Sequence, residues 1–294
     1  MWGIRTAALW ALAITCLAAP AFADPESENE ALCAQFSDVQ ASIRGCTAII
    51  QSDQEPGSHR IGAYQMRALM YQRTGRFDLA IEDFNNALAI ALDENDIAII
   101  YVNRGNAYTR SKQYDKALAD YNSATHHDHG SGFAYVDRGR FYQFRNRIDL
   151  ALSDYTKAIS MQPTGFVFDL RGKAYSAKGL RKKAIADFSR AITHGELEMQ
   201  RYKNKDYAVG VGEYYNDRAW ERHLAKQDAL ALPDADQAVR LAPAKAECLE
   251  TRAEIHERLG HRESAIADYL AAQKLDPEVK GAAEGLARLG ASGR

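Results

Sequence analysis

Few side chains in this sequence are placed to do chemistry. The densest set is His126-His127-Asp128-His129, four groups able to ligate a metal or move a proton. They stand at the end of a helical run, just before Gly130 and Gly132, where histidines face helix-end carbonyls favourably. Successive residues on a helix diverge by about 100°, so three of these groups converge poorly on one ion. A solvated helix end is the expected role. The sequence has no Gly-rich phosphate loop, His-Glu-x-x-His, Gly-x-Ser-x-Gly elbow or Cys-x-x-Cys pair. No catalytic residue, metal site or cofactor is therefore assigned, and the chain is read as a non-enzyme.

A second charged set is regular. Arg67, Arg104, Arg138, Arg171, Arg218 and Arg252 are each followed sixteen residues later by an aspartate: Asp83, Asp120, Asp154, Asp187, Asp234 and Asp268. A catalytic pair is needed once, whereas a packing device is needed in every structural unit. These pairs are expected to be ion pairs or hydrogen bonds within or between neighbouring units.

The elements that position these residues follow from self-alignment. Tyr64, Tyr101, Tyr135, Phe168, Tyr215 and Leu249 open successive units, at intervals of 37, 34, 33, 47 and 34 residues. Four residues on stands a small residue: Ala68, Gly105, Gly139, Gly172, Ala219 or Ala253. Tyr71, Tyr108, Tyr142 and Tyr175 follow three later, replaced by Arg222 and His256 in the last two units. Alanines come next at 80, 117, 151, 184, 231 and 265, then Phe84, Tyr121, Tyr155, Phe188, Ala235 and Tyr269. Spacings of three, four and seven give two helices per unit, split by a turn at Gly75, Lys112, Asn146, Gly179, Lys226 or Gly260. The small residue lets the two helices approach closely.

Composition agrees with such an array. The 294 residues are 46% hydrophobic, which excludes a disordered chain, and carry 37 Lys+Arg against 39 Asp+Glu. A net charge of −2 excludes a strongly basic nucleic-acid binder. Four cysteines are too few for a disulfide scaffold, and seven prolines favour helix. Residues 1–23 read as a cleaved signal peptide: Arg5, an uncharged apolar stretch to Ala19, then Ala21-x-Ala23 before the cut. Cleavage leaves Cys33, Cys46, Cys248 and one tryptophan, Trp220. No later stretch is apolar enough to span a membrane, so an exported protein is expected, periplasmic in a Gram-negative bacterium.

The six units resemble the tetratricopeptide repeat, a 34-residue pair of antiparallel helices. The resemblance covers about residues 61 to 277 and implies an all-α right-handed solenoid. Residues 24–60 are expected as a degenerate helix pair, 61–195 as repeats one to four, and 196–211 as an inserted connection. Repeats five and six then occupy 212–277, with a capping helix and tail over 278–294. The insertion is read as a lengthened second helix and a loop, with a contact element beside the groove as the rival. In the repeat's register Cys33 and Cys46 fall where Tyr71 and Phe84 face each other, so a disulfide is expected, with two buried thiols as the alternative. Cys248 is expected as a small buried hydrophobe.

By the same resemblance, first helices line a concave groove. Its predicted lining includes Asn103, Asn106, Arg110, Asp137, Arg140, Phe144, Asp169, Lys173, Asp217 and Trp220. Trp220 is open to two roles, groove anchor or inter-repeat packing. Amides, both charge signs and two large aromatics suit an extended peptide or protein segment of the cell envelope, with no nucleic acid involved. The expected function is a non-catalytic interaction scaffold. The alternative is an envelope accessory that acts through self-association.

Overall fold

The computed structural model describes residues 25–52, 57–203 and 205–291, so the signal peptide expected over 1–23 lies outside the described residues. Those residues form fifteen α-helices and no strand. The chain divides after Ile90 into two compact units.

The first unit contains α1 (Pro25–Cys33), α2 (Val39–Gln51), α3 (Gly57–Arg73) and α4 (Phe77–Ile90). Asp38 starts α2 as its N-cap, accepting from the backbone N–H groups of Gln40 and Ala41 at 3.0 Å. A disulfide joins Cys33 to Cys46, with Cα atoms 4.6 Å apart. Both cysteines are buried with Ile49 and Ala63, and Ser42 Oγ donates to the Cys33 carbonyl at 2.7 Å. A Cβ on Gly45 would lie 2.5 Å from the Cys33 nitrogen, so only glycine lets α1 and α2 approach this closely. The bridge and the bare glycine do here what paired aromatics do in later repeats.

The second unit runs α5 (Glu94–Arg110), α6 (Tyr114–His127), α7 (Phe133–Phe144), α8 (Ile148–Met161), α9 (Gly165–Ala177) and α10 (Arg181–Tyr202). It continues with α11 (Lys205–Leu224), α12 (Asp228–Leu241), α13 (Ala246–Arg258), α14 (Arg262–Leu275) and α15 (Lys280–Arg288). Each helix packs on the next in sequence. Lys112, Asn146, Gly179, Lys226 and Gly260 all have positive φ, between 56° and 80°, at the turns inside their pairs. This left-handed residue ends the first helix and turns the chain back along it.

Rings from the second helix fill the space between paired helices. Tyr121, Tyr155, Phe188 and Tyr269 are buried there. A Cβ on Gly139 would sit 2.6 Å from the Tyr155 ring, so the small residue is a steric requirement. The fifth pair departs: Ala235 replaces the ring, and Arg222 Nη1 donates to Asp234 Oδ2 at 2.6 Å. An ion pair thus takes up what aromatic packing supplies elsewhere. At the C-terminal end Val279, Ala282 and Leu286 cover the apolar face around Tyr269.

All six Arg/Asp pairs are bidentate. Nε and Nη2 of each arginine donate to the two carboxylate oxygens of its aspartate at 2.6–2.9 Å. The remaining Nη1 reaches the preceding helix pair: Arg138 bonds Asn122 and Thr125, Arg171 bonds Thr156, and Arg218 bonds Ser189. In the first unit Arg67 bonds Thr47 in the same way. One guanidinium therefore closes its own helix pair and ties it to the one before.

Residues 196–202 and 205–211 are helical, and Lys203, whose φ is 48°, ends α10. The extra length between the fourth and fifth repeats extends both α10, to Tyr202, and α11, from Lys205. Pairing two extended helices satisfies backbone groups that a loop would leave to water.

Arg138→Ala should destabilise the array by about 3–5 kcal/mol, because it leaves Asp154 buried without its cation. Arg138→Lys should restore part of this, since ammonium cannot span two pairs at once. Urea denaturation of the three proteins checks both. Removing the bridge with Cys33→Ser and Cys46→Ser should cost on the order of 2–4 kcal/mol, read as a lower midpoint in the same assay.

Candidate functional site

The first helices of successive pairs share one side of the second unit. α5 touches α7, α11 touches α13, and α13 touches α15. Lys173 on α9 extends the row by reaching Asp217 on α11 at 3.2 Å. No contact of similar extent joins second helices of neighbouring pairs. The first helices therefore converge, and their exposed faces form a groove.

The groove deepens between α11 and α13. One lobe, of about 250 Å³, is lined by Lys173, Glu213, Asn216, Asp217, Lys245, Glu247 and Cys248. An adjoining lobe, of about 280 Å³, shares Asn216, Asp217 and Glu247 and adds Trp220, Glu250, Thr251 and Glu254. Glu213, Asn216, Asp217 and Trp220 occupy the second, fifth, sixth and ninth positions of repeat five. Glu247, Glu250, Thr251 and Glu254 hold the same positions in repeat six. Repetition of the helix pair has aimed equivalent side chains at one cleft.

At the floor beside α9, two carboxyl groups share one lysine. Asp169 Oδ2 lies 2.7 Å from Lys173 Nζ, and Asp217 completes the triad from the other side. Asp169 is only 3% exposed, and its Oδ1 receives no hydrogen bond from a donor. Burial is the main force on its acidity, pushing the carboxyl up to about 7; the Asp217 charge adds to this, against Lys173. Burial raises Asp217 as well. Two buried carboxyls with one ammonium favour a retained proton over a second negative charge.

Family models described as "Tetratricopeptide repeat" match residues 60–126, 134–164 and 246–279. The chain contains tetratricopeptide repeats. Solved structures share the fold. The APC/C hetero-tetramer Cut9-Hcn1 is 13% identical at a TM-score of 0.61, covering 90% of this chain and 51% of that one. This chain thus spans about half the length of that structure. A tetratricopeptide repeat protein from Parabacteroides merdae is 18% identical at 0.58, covering 90% and 98%. PilW, a type IV pilus biogenesis factor, is 18% identical at 0.59, covering 80% and 100%. No curated protein matches the sequence. The stretch between the matched repeats, 165–245, contains the elongated α10 and α11.

Within this tetratricopeptide repeat array the expected groove residues occupy three regions. Asp169, Lys173 and Asp217 form the triad, and Trp220 lines the cleft while stacking on His223 at 5.5 Å. Asp137 and Arg140 pair at 3.4 Å on α7. On α5, Asn103 is half-buried and Arg110 exposed. Asn106 Oδ1 accepts from the Tyr121 hydroxyl at 2.8 Å, so it also anchors α5 to α6. Phe144, 62% exposed, lies against Tyr114 at the start of α6, away from the α11–α13 cleft. Glu247, Glu250 and Glu254 are absent from the predicted lining, although the repeat register assigns them the same positions in the sixth unit.

The histidine cluster is a helix end. His127 bonds Glu94 and stacks on Tyr101. Asp128 is buried and accepts from the N–H groups of Ser131, Gly132 and Ala134, organising the turn into α7. Among the described residues no group of three or more ligating side chains is placed to hold a metal. Cys248 is buried, and burial pushes its thiol up to about 12.

A proton held by folded Asp169 but not by the unfolded chain stabilises the fold at low pH and loses that effect as pH rises towards about 7. Asp169→Asn should therefore gain stability relative to the parent between about pH 4 and pH 7, and keep the gain above. Paired thermal melts across that range check the sign.

Proposed function

We propose that this protein is an exported interaction scaffold that binds a peptide or protein segment along the groove of its first helices. The observation that carries the reading is the α11–α13 cleft, where matched positions of consecutive repeats present an aromatic, an amide, a hydroxyl and carboxylates. Such a surface offers side-chain pockets at helical intervals without a nucleophile or metal set, which suits recognition rather than turnover. The likeness to a hetero-tetrameric assembly and to a pilus biogenesis factor supports a role in holding proteins together, by analogy of fold alone.

Export is supported by the signal-like residues 1–23 and by the Cys33–Cys46 bridge, a bond that persists in oxidising compartments. No helix among the described residues is long and apolar enough to cross a membrane.

Photo-crosslinking side chains placed at Asn103 and Arg140, in cells of the source organism, should capture a heterologous protein. The same group at Lys157, exposed on α8, should not. Equal capture from both faces would remove the groove from the account. Products consisting only of this chain linked to itself would favour assembly through self-association.

A further inference from the structure

The α11–α13 cleft has an excess of carboxylate that its own cations do not balance. Lys245 is engaged with Glu213 at 2.5 Å, and Lys173 is held by Asp169 and Asp217. That leaves Glu247, Glu250 and Glu254. Among the described residues Glu247 and Glu250 form no ion pair, and Glu250 accepts from the Gly281 N–H at the start of α15. Glu254 lies 3.7 Å from the Nε2 of His223, whose pKa is lowered by burial. Burial is also the first cause raising Glu250 and Glu254, and the Glu250 charge adds to the effect on Glu254.

A neutral group in the same cleft makes the same demand. Asn216 Oδ1, which is buried, has no hydrogen-bond donor. The orphaned atom is an acceptor, and an arriving N–H group would satisfy it. Trp220 supplies an aromatic surface beside it, and a cation gains from contact with an indole face. The carboxylates are strung along α13 and do not converge on one point. Glu247 and Glu254 are seven residues apart, or roughly 10 Å along the helix. That distance is too long for a single metal ion and matches about three residues of extended chain.

We infer that the groove between α11 and α13 selects a cationic extended segment, whose Arg or Lys side chains enter between Trp220 and the Glu247, Glu250 and Glu254 carboxylates and donate to Asn216. A guanidinium fits the donor-poor floor best, because it brings five N–H donors in one plane and a face that stacks on indole. Alternate side chains of an extended peptide lie on one face about 7 Å apart, so basic residues at every second position face the row together.

The inference rests on the groove reading above, and its test separates the two. Fluorescence anisotropy of the full chain with a labelled decapeptide of alternating arginine and serine should show saturable binding that weakens with salt. Matched glutamate–serine and glutamine–serine peptides should bind at least about tenfold more weakly. The isosteric triple change Glu247→Gln, Glu250→Gln, Glu254→Gln should cost the basic peptide at least about tenfold, and Trp220→Ala several-fold. Asp78→Asn with Glu82→Gln, on the exposed face of α4, should change nothing. Melting curves of the triple variant at or above the parent's exclude a folding defect, since burial opposes charge at Glu250 and Glu254.

Equal losses in the α4 control would make the attraction a general surface effect and overturn the assignment. Binding of the glutamine or glutamate peptide as tight as the basic one would overturn the cation preference but leave the groove as a binding surface. Sub-millimolar Ca²⁺ or Mg²⁺ displacing the peptide would mark a metal site and overturn it too. Only if the groove crosslinks also failed would the scaffold reading fall with it.

Discussion

The bidentate arginine–aspartate clamp is the interaction on which the rest of this structure depends. Its aspartates are nearly buried, with side chains 2–10% exposed, while the arginines lie at the seam between helix pairs. A buried carboxylate is costly unless fully paired, so each aspartate commits its arginine to one geometry. Once Nε and Nη2 are committed, the planar guanidinium has a single direction left for Nη1, and that direction meets the preceding pair. Within each unit the orientation between consecutive pairs is thereby set by a rigid group as well as by apolar contact.

Apolar packing works within that frame. Glycine or alanine on the first helix admits a ring from the second, and the left-handed turn residue closes the hairpin. Where the ring is missing, in the fifth pair, Asp234 serves two arginines, Arg218 and Arg222. Where both rings are missing, in α1 and α2, a covalent bridge and a bare glycine replace them. The second helices spend their apolar faces on these contacts. The first helices keep one face partly free, although Asn106 on α5 and Asp169 on α9 also contribute contacts between helices.

The elongated α10–α11 hairpin adds a feature of its own. Phe166, Gly195, Tyr207, Val211 and Tyr214 line a cleft of about 240 Å³ at its base. Glu198 accepts a hydrogen bond from the Gly165 N–H at 3.4 Å, fixing the start of α9 against the extended helix. Tyr202 and Tyr207 stack at 5.2 Å across the break. The extra residues thus brace the junction of the fourth and fifth pairs, next to the triad of Asp169, Lys173 and Asp217.

The architecture was legible in the sequence because it is periodic. Residues recurring at three, four and sixteen positions report local helix geometry and one pairing rule, and repetition separates that rule from coincidence. The turn residues, the Arg/Asp pairs and the Cys33–Cys46 juxtaposition all follow from register alone. The site was legible only as a list of groove positions. Asn106 is drawn to Tyr121 and Phe144 to Tyr114, while Asp169, Lys173 and Asp217 meet across two helix pairs. Those outcomes depend on burial and on which side chain meets which across a helix–helix interface, and no linear spacing encodes either. The acidic character of the α11–α13 cleft is of this kind. Its carboxylates are unremarkable in a chain of net charge −2, and they become a demand for cations only when folding gathers them at a cleft whose two lysines are already engaged.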